Sequence, residues 1–183
     1  MKSLDPGYRS SRPILRTAMI YENFTAGTRG WLFMERLAGA LDCGLEQQMW
    51  SFGVLGLREI RRRSSSAARR SDILVVSVST NRELPGAVRV WLEMVLSLLR
   101  KRNPALVGLF APDPKRKLAS INTFLSDFSV NYGINYFPHQ MQNGFSTIGS
   151  GCGSETNGIR VTSQHRDRSN IWLSGAINSA LCH

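Results

Sequence analysis

Acidic residues are scarce in this chain. Against 23 Lys and Arg there are 13 Asp and Glu, a net charge of +10. Histidine is scarcer still, with 3 in 183 residues. The cysteines, Cys43, Cys152 and Cys182, are odd in number and far apart. They form no CxxC pair and no Cys/His spacing that would hold a metal, and thiols so scattered fit a reducing cytoplasm. The first residues, MKSLDPGYRSSRP, contain no apolar core of a secretory signal. The longest apolar stretch, Ala87 to Leu99, is too short to span a bilayer and contains Arg89 and Glu93. GxSxG, HExxH and P-loop lysine motifs are missing, and so is any internal repeat. Catalytic groups are therefore sparse, and no motif points to a zinc protease, a nucleophile-elbow hydrolase or a P-loop nucleotide hydrolase.

What is present is an alternation of apolar strands and periodic helices. At 42% apolar and 20% charged residues, 183 residues suit one soluble domain with its own core. Strand 1, Ile14–Tyr21, is nearly continuous in apolar residues, as a strand buried on both faces would be. A stretch rich in hydroxyl groups and glycine, Asn23 to Gly30, reads as a loop. Helix 1 follows over about Thr28–Leu41, with Met34, Leu37, Ala38 and Leu41 on one face. Strand 2, Leu45–Phe52, alternates like a half-exposed edge. Helix 2 spans about 57–70. Strand 3, Ile73–Val78, reads ILVVSV. Helix 3 spans about 84–102, with Pro85 in its first turn. Strand 4 is Ala105–Ala111, helix 4 covers about 115–131, and strand 5 is Ile134–Phe137. Strands separated by helices predict a five-stranded parallel sheet, doubly wound, in the order 2-1-3-4-5. The α/β domain covers 14–138, after an extension at 1–13. The tail at 139–183 is rich in Gly, Ser and Asn and irregular, with one short helix expected near 170–181.

In an open parallel sheet of this order, ligands bind beyond the carboxyl ends of strands 1 and 3, where the strand order reverses. Two segments line that crevice. Thr25, Gly27, Thr28 and Arg29 belong to the first, and Ser79, Thr80 and Asn81, from the run STNREL, to the second. Hydroxyls, backbone N–H groups at a helix start and one arginine are what a phosphate needs. The same residues also serve as ordinary turn and N-cap chemistry. Glu22 and Glu83, the carboxylates of the two segments, read as caps of backbone amides. His139, at the end of strand 5, reads as a surface residue rather than a general base.

The run IYENFTAGTRGWLFMERLAGAL resembles the opening strand–helix unit of flavodoxin-like proteins, and SDILVVSVSTNRELPGAVRVWLE resembles their third strand and following helix. The resemblance covers about Ile14–Phe137. It implies the flavodoxin-like fold, an FMN phosphate held by Thr25, Gly27, Thr28 and Arg29 with Ser79, Thr80 and Asn81, and flavin-linked electron transfer as the class of reaction. The Thr/Gly spacing in Phe24-Thr25-Ala26-Gly27-Thr28-Arg29 departs from the family's phosphate loop. The loops STNRELP and APDPKR lack the aromatic residues that commonly flank the flavin. Phospho-acceptor receiver domains share the fold, but their acidic pair, strand-3 Asp and strand-5 Lys are replaced here by Tyr21-Glu22, Ser79 and Pro138-His139, which excludes that function.

Two features lie outside the crevice. Residues 58–70, REIRRRSSSAARR, crowd six arginines into one helix, and helix 3 has an apolar face wider than a single sheet contact needs. The arginine helix is a solvated outer helix or a polyanion site; with little aromatic interleaving and no nucleic-acid motif, nucleic acid is not the favoured partner. Helix 3 is covered by the tail or forms a homodimer face through 84–102. Two readings of function therefore stand: a cytoplasmic protein that binds FMN or another phosphate-bearing small molecule, and a non-catalytic interaction module that binds a polyanion or a protein. Neither involves a membrane.

Overall fold

The computed structural model describes residues 12–79, 83–99, 104–112 and 119–140. The tail beyond Gln140, its expected helix at 170–181, and Thr80 and Asn81 lie outside the described residues. Five strands, β1 (Ile14–Tyr21), β2 (Gly44–Ser51), β3 (Ile73–Val78), β4 (Ala105–Phe110) and β5 (Tyr136–Gln140), form one parallel sheet in the order β2-β1-β3-β4-β5. Four α-helices alternate with them: α1 (Phe24–Ala40), α2 (Arg58–Ala68), α3 (Gly86–Leu99) and α4 (Ala119–Tyr132). The strand order is the one the sequence predicts. Both central strands, β3 and β4, are buried along their whole length, which is why they read as unbroken apolar runs.

Alternation along the strands divides the core in two. Leu15 and Met19 of β1, with Ile73, Val75, Val107 and Leu109, pack on one face with Phe33, Met34 and Leu37 of α1. Ala18 and Ile20, with Leu74, Val76 and Leu106, pack on the other with α2, α3 and α4. α3 lies between α2 and α4 on that second face. Its breadth of apolar surface follows from that position, because it touches the sheet and a helix on each side. Trp91 is fully buried and donates its indole N–H to Ser64 Oγ of α2 at 2.8 Å. Val90 and Leu98 remain about half exposed.

Several boundaries differ from the sequence pattern. α1 starts at Phe24 rather than near Thr28, because Asn23 Oδ1 accepts from Ala26 N at 3.0 Å and caps the helix there. Thr25, Gly27 and Thr28 are therefore helical, and only Glu22 and Asn23 join strand to helix. β2 ends at Ser51, and Phe52 turns into a short 3-10 segment, Phe52–Val54, with its ring buried. β4 ends one residue early, at Phe110. β5 lies at Tyr136–Gln140 instead of Ile134–Phe137. A proline inside a strand usually argues against it. Here the Leu106 N–H bonds to Asn135 O at 2.8 Å, so by alternation the nitrogen of Pro138 faces outward from an edge strand and no ladder bond is lost.

Tyr136 crosses the sheet from this edge. Its hydroxyl donates to Asn122 Oδ1 of α4 at 2.8 Å, and burial raises its pKa well above the ordinary phenol value. The ring passes over Gly108, where a Cβ would lie 2.5 Å from the Tyr136 oxygen and 2.9 Å from the Phe110 ring. Replacing Gly108 with Ala should therefore destabilise the fold by about 1–3 kcal/mol through overpacking. Urea denaturation is the check, and an unchanged midpoint would show that Tyr136 can move aside.

Candidate functional site

The carboxyl ends of β1 and β3 meet beside the start of α1, and one set of polar contacts ties the three together. As β1 ends, the Glu22 N–H bonds to Ser77 O at 3.0 Å. The Glu22 carboxylate reaches across and accepts from the Ser79 N–H at 2.7 Å. From the second turn of α1, the Arg29 guanidinium donates to Val78 O at 3.0 Å and to Ser79 Oγ at 2.9 Å. Beneath them the buried Ser77 hydroxyl donates to Ala26 O at 2.8 Å. Desolvation lowers the pKa of half-buried Arg29, and the charge of Glu22 opposes that shift.

Two glycines bring α1 close enough for this to happen. A Cβ on Gly27 would lie 3.1–3.3 Å from the Tyr21 ring, and one on Gly30 would collide with the Met19 thioether. Both glycines are buried on the strand-facing side of the helix. Gly27 thus serves helix–strand packing, a role glycine plays in the first helix of many α/β folds.

Of the residues picked out from sequence, the fold joins Arg29 directly to Ser79. Thr25 and Thr28 are exposed along the start of α1, and Gly27 lies beneath the helix. Glu22 caps a backbone amide as expected. Glu83 instead pairs with Arg89 at 2.8 Å. His139 lies on β5, its ring 5.1 Å from that of Phe33, so it belongs to the α1 face of the sheet rather than to the crevice between β1 and β3. Sequence reasoning missed Asn23 as the cap, Ser77 as the buried tie and Phe24, which is 87% exposed in the first turn of α1. An Asn between a strand and a helix was the available signal for the first.

The first-turn N–H groups of Phe24 and Thr25 have no carbonyl partner within the helix. With the Thr25 and Thr28 hydroxyls and the positive end of the helix dipole, they suit one phosphate group. A two-residue connection offers fewer donors than a loop that wraps a phosphate. For a flavin ring, the described residues bring one exposed aromatic to this edge, Phe24. Among the described residues no cluster of three metal-ligating side chains exists, and no helix is long and apolar enough to cross a membrane.

No family model and no curated protein matches the chain. Among solved structures it is similar to an oxidoreductase from Corynebacterium diphtheriae, with a TM-score of 0.52 and 13% identity over 67% of this chain and 78% of that one. A Trp repressor binding protein from Bacillus subtilis gives a TM-score of 0.43 at 10% identity, over 69% of this chain and 85% of that one. The first likeness, together with the strand order, supports a flavodoxin-like fold.

Arg29 should behave as a structural tie. Changing Arg29 to Ala removes two charge-assisted hydrogen bonds from a half-exposed site and should cost about 1–2 kcal/mol. Amide hydrogen exchange should quicken at Val78 and Ser79 while β4 keeps its protection. Uniform loss of protection across the sheet would contradict a local role.

Proposed function

We propose that the protein binds a phosphate-bearing small molecule, with FMN the first candidate, at the carboxyl ends of β1 and β3. The observation that carries this reading is the start of α1 opening at the point where the strand order reverses, with Thr25, Thr28 and Phe24 exposed there. The phosphate would rest against the N–H groups of Phe24 and Thr25 and the hydroxyls of Thr25 and Thr28. Arg29 would supply positive charge from one side while remaining tied to Val78 and Ser79. The Phe24 ring offers an apolar face beside the phosphate for the remainder of the ligand. A bound flavin would supply electron-transfer chemistry, and the chain's part would be to hold and orient it. Glu22 would place negative charge at the mouth. That favours a ligand whose phosphate enters over α1 rather than over β3.

Titration of FMN with the purified protein tests this through flavin fluorescence, together with a search for a flavin absorption band. Quenching that saturates in the micromolar range is expected. The double change Thr25→Ala and Thr28→Ala should weaken it about tenfold, through the loss of two hydrogen bonds. A colourless protein that leaves FMN fluorescence unchanged at high micromolar concentration would sink the FMN reading. Equal affinity in the double variant would move the site away from α1.

A further inference from the structure

On the opposite face of the sheet, α2 gathers positive charge on the side turned away from the core. Its inner side carries Ser64, Ser65, Ala67 and Ala68, all buried. Its outer side, with the turn that follows, exposes Arg58, Arg62, Arg63, Arg69 and Arg70. Arg61 is turned aside and donates to the carbonyls of Leu55 and Gly56 at 3.2 Å each. The outer side holds one carboxylate, Glu59, which Arg62 and Arg63 share at 3.1 and 2.9 Å. Hydrogen bonds from Arg62 and then Arg63 hold Glu59 below the usual carboxylate range. Where the outer side ends, Ser66, Arg69 and Arg70 line a cavity of about 360 Å³ with Leu98 of α3, roomy enough for a phosphate group.

The chemistry of this face narrows its partner. An anionic membrane is gripped by helices that carry an apolar stripe beside their basic one, whereas exposed apolar side chains here are confined to Leu57 and Leu98 at the two ends of the arginine row. A single-stranded nucleic acid is held by aromatic side chains on which bases stack, and this face has none. It offers guanidinium forks repeated along a helix about 16 Å long. Such forks match phosphate oxygens in pairs, and phosphates recur at regular spacing along a duplex backbone.

We propose that the outer face of α2 docks on the phosphate backbone of double-stranded nucleic acid without reading its sequence. Phosphates lie against Arg58, Arg62 and Arg63, and one occupies the hollow beside Ser66 and Arg70. This surface is separate from the edge where β1 and β3 end, so either site can fail without the other.

Fluorescence anisotropy of the full chain with two unrelated duplexes, each of about 20 base pairs, tests the proposal. Both should bind equally, and the logarithm of the association constant should fall with the logarithm of salt at a slope of about −3 to −4, near 0.9 per phosphate contacted. The triple change R62A/R63A/R70A should flatten that slope to about −1 and weaken binding at least about a hundredfold at ~0.1 M salt. Because R62K/R63K/R70K keeps the charges, it should bind within a few fold of the parent, which separates lost charge from lost fold. Several outcomes would overturn the proposal: no binding at low salt, binding that the alanine changes leave intact, tighter binding to a single strand of equal length, or preference for anionic phospholipid vesicles.

Discussion

The close seating of α1 on β1 is the constraint from which the edge of this sheet follows. Gly27 sits against the Tyr21 ring and Gly30 against Met19, so the helix axis approaches the strand more nearly than any side chain there would allow. That approach lets Ser77 of β3 reach Ala26 O, and it puts the Arg29 guanidinium within 3.0 Å of Val78 O. A helix standing an ångström or two farther out would leave the Ser77 hydroxyl buried and unpaired, at a cost of about 1–3 kcal/mol. The glycines lower helix propensity, and the contacts they permit outweigh that loss. The same seating explains why strand and helix are joined by two residues. Asn23 caps the helix where the strand ends, and no slack remains for a longer loop.

Much of the fold could be read from the residues, because its strands differ sharply in burial. β3 and β4 lie inside on both faces and spell continuous apolar runs, whereas β2, at the edge, alternates. Those differences fix which strands are central, and helices between parallel strands then permit few orders. The candidate site was less legible. Thr, Gly and Thr in succession look like a loop by local preference and mask the cap signal of Asn23 ahead of them, and nothing local shows that Tyr21 lies under Gly27. β5 was misplaced for a related reason. Pro138 forbids a central strand but not an edge whose free side faces outward, and only the pairing of Asn135 with Leu106 shows which side that is. The Arg29–Ser79 contact joins two segments picked out separately, about fifty positions apart. Strand order alone placed them on one edge.

Several of the described arginines fasten one element of the fold to another. Arg29 and Arg61 hold backbone carbonyls and fasten turns. Arg89 does the same for Leu84 O while pairing with Glu83 and lying 5.4 Å over the Phe124 ring. Arg16 pairs with Glu46 across β1 and β2 at 3.2 Å. Each of these stabilises a junction between elements, and guanidinium suits the task because its planar fork reaches a carbonyl and a side chain together. On the outer side of α2, Arg62 and Arg63 pair instead with Glu59 of their own helix. Their helix is held by its other side, through Ala67, Ala68 and the Ser64–Trp91 hydrogen bond, so packing would tolerate uncharged polar residues in their place. Like charges spaced along one helix face repel one another, and Glu59 offsets part of that at Arg62 and Arg63. So much like charge on the side of a helix that the core does not use becomes intelligible if further compensating anions come from outside the chain.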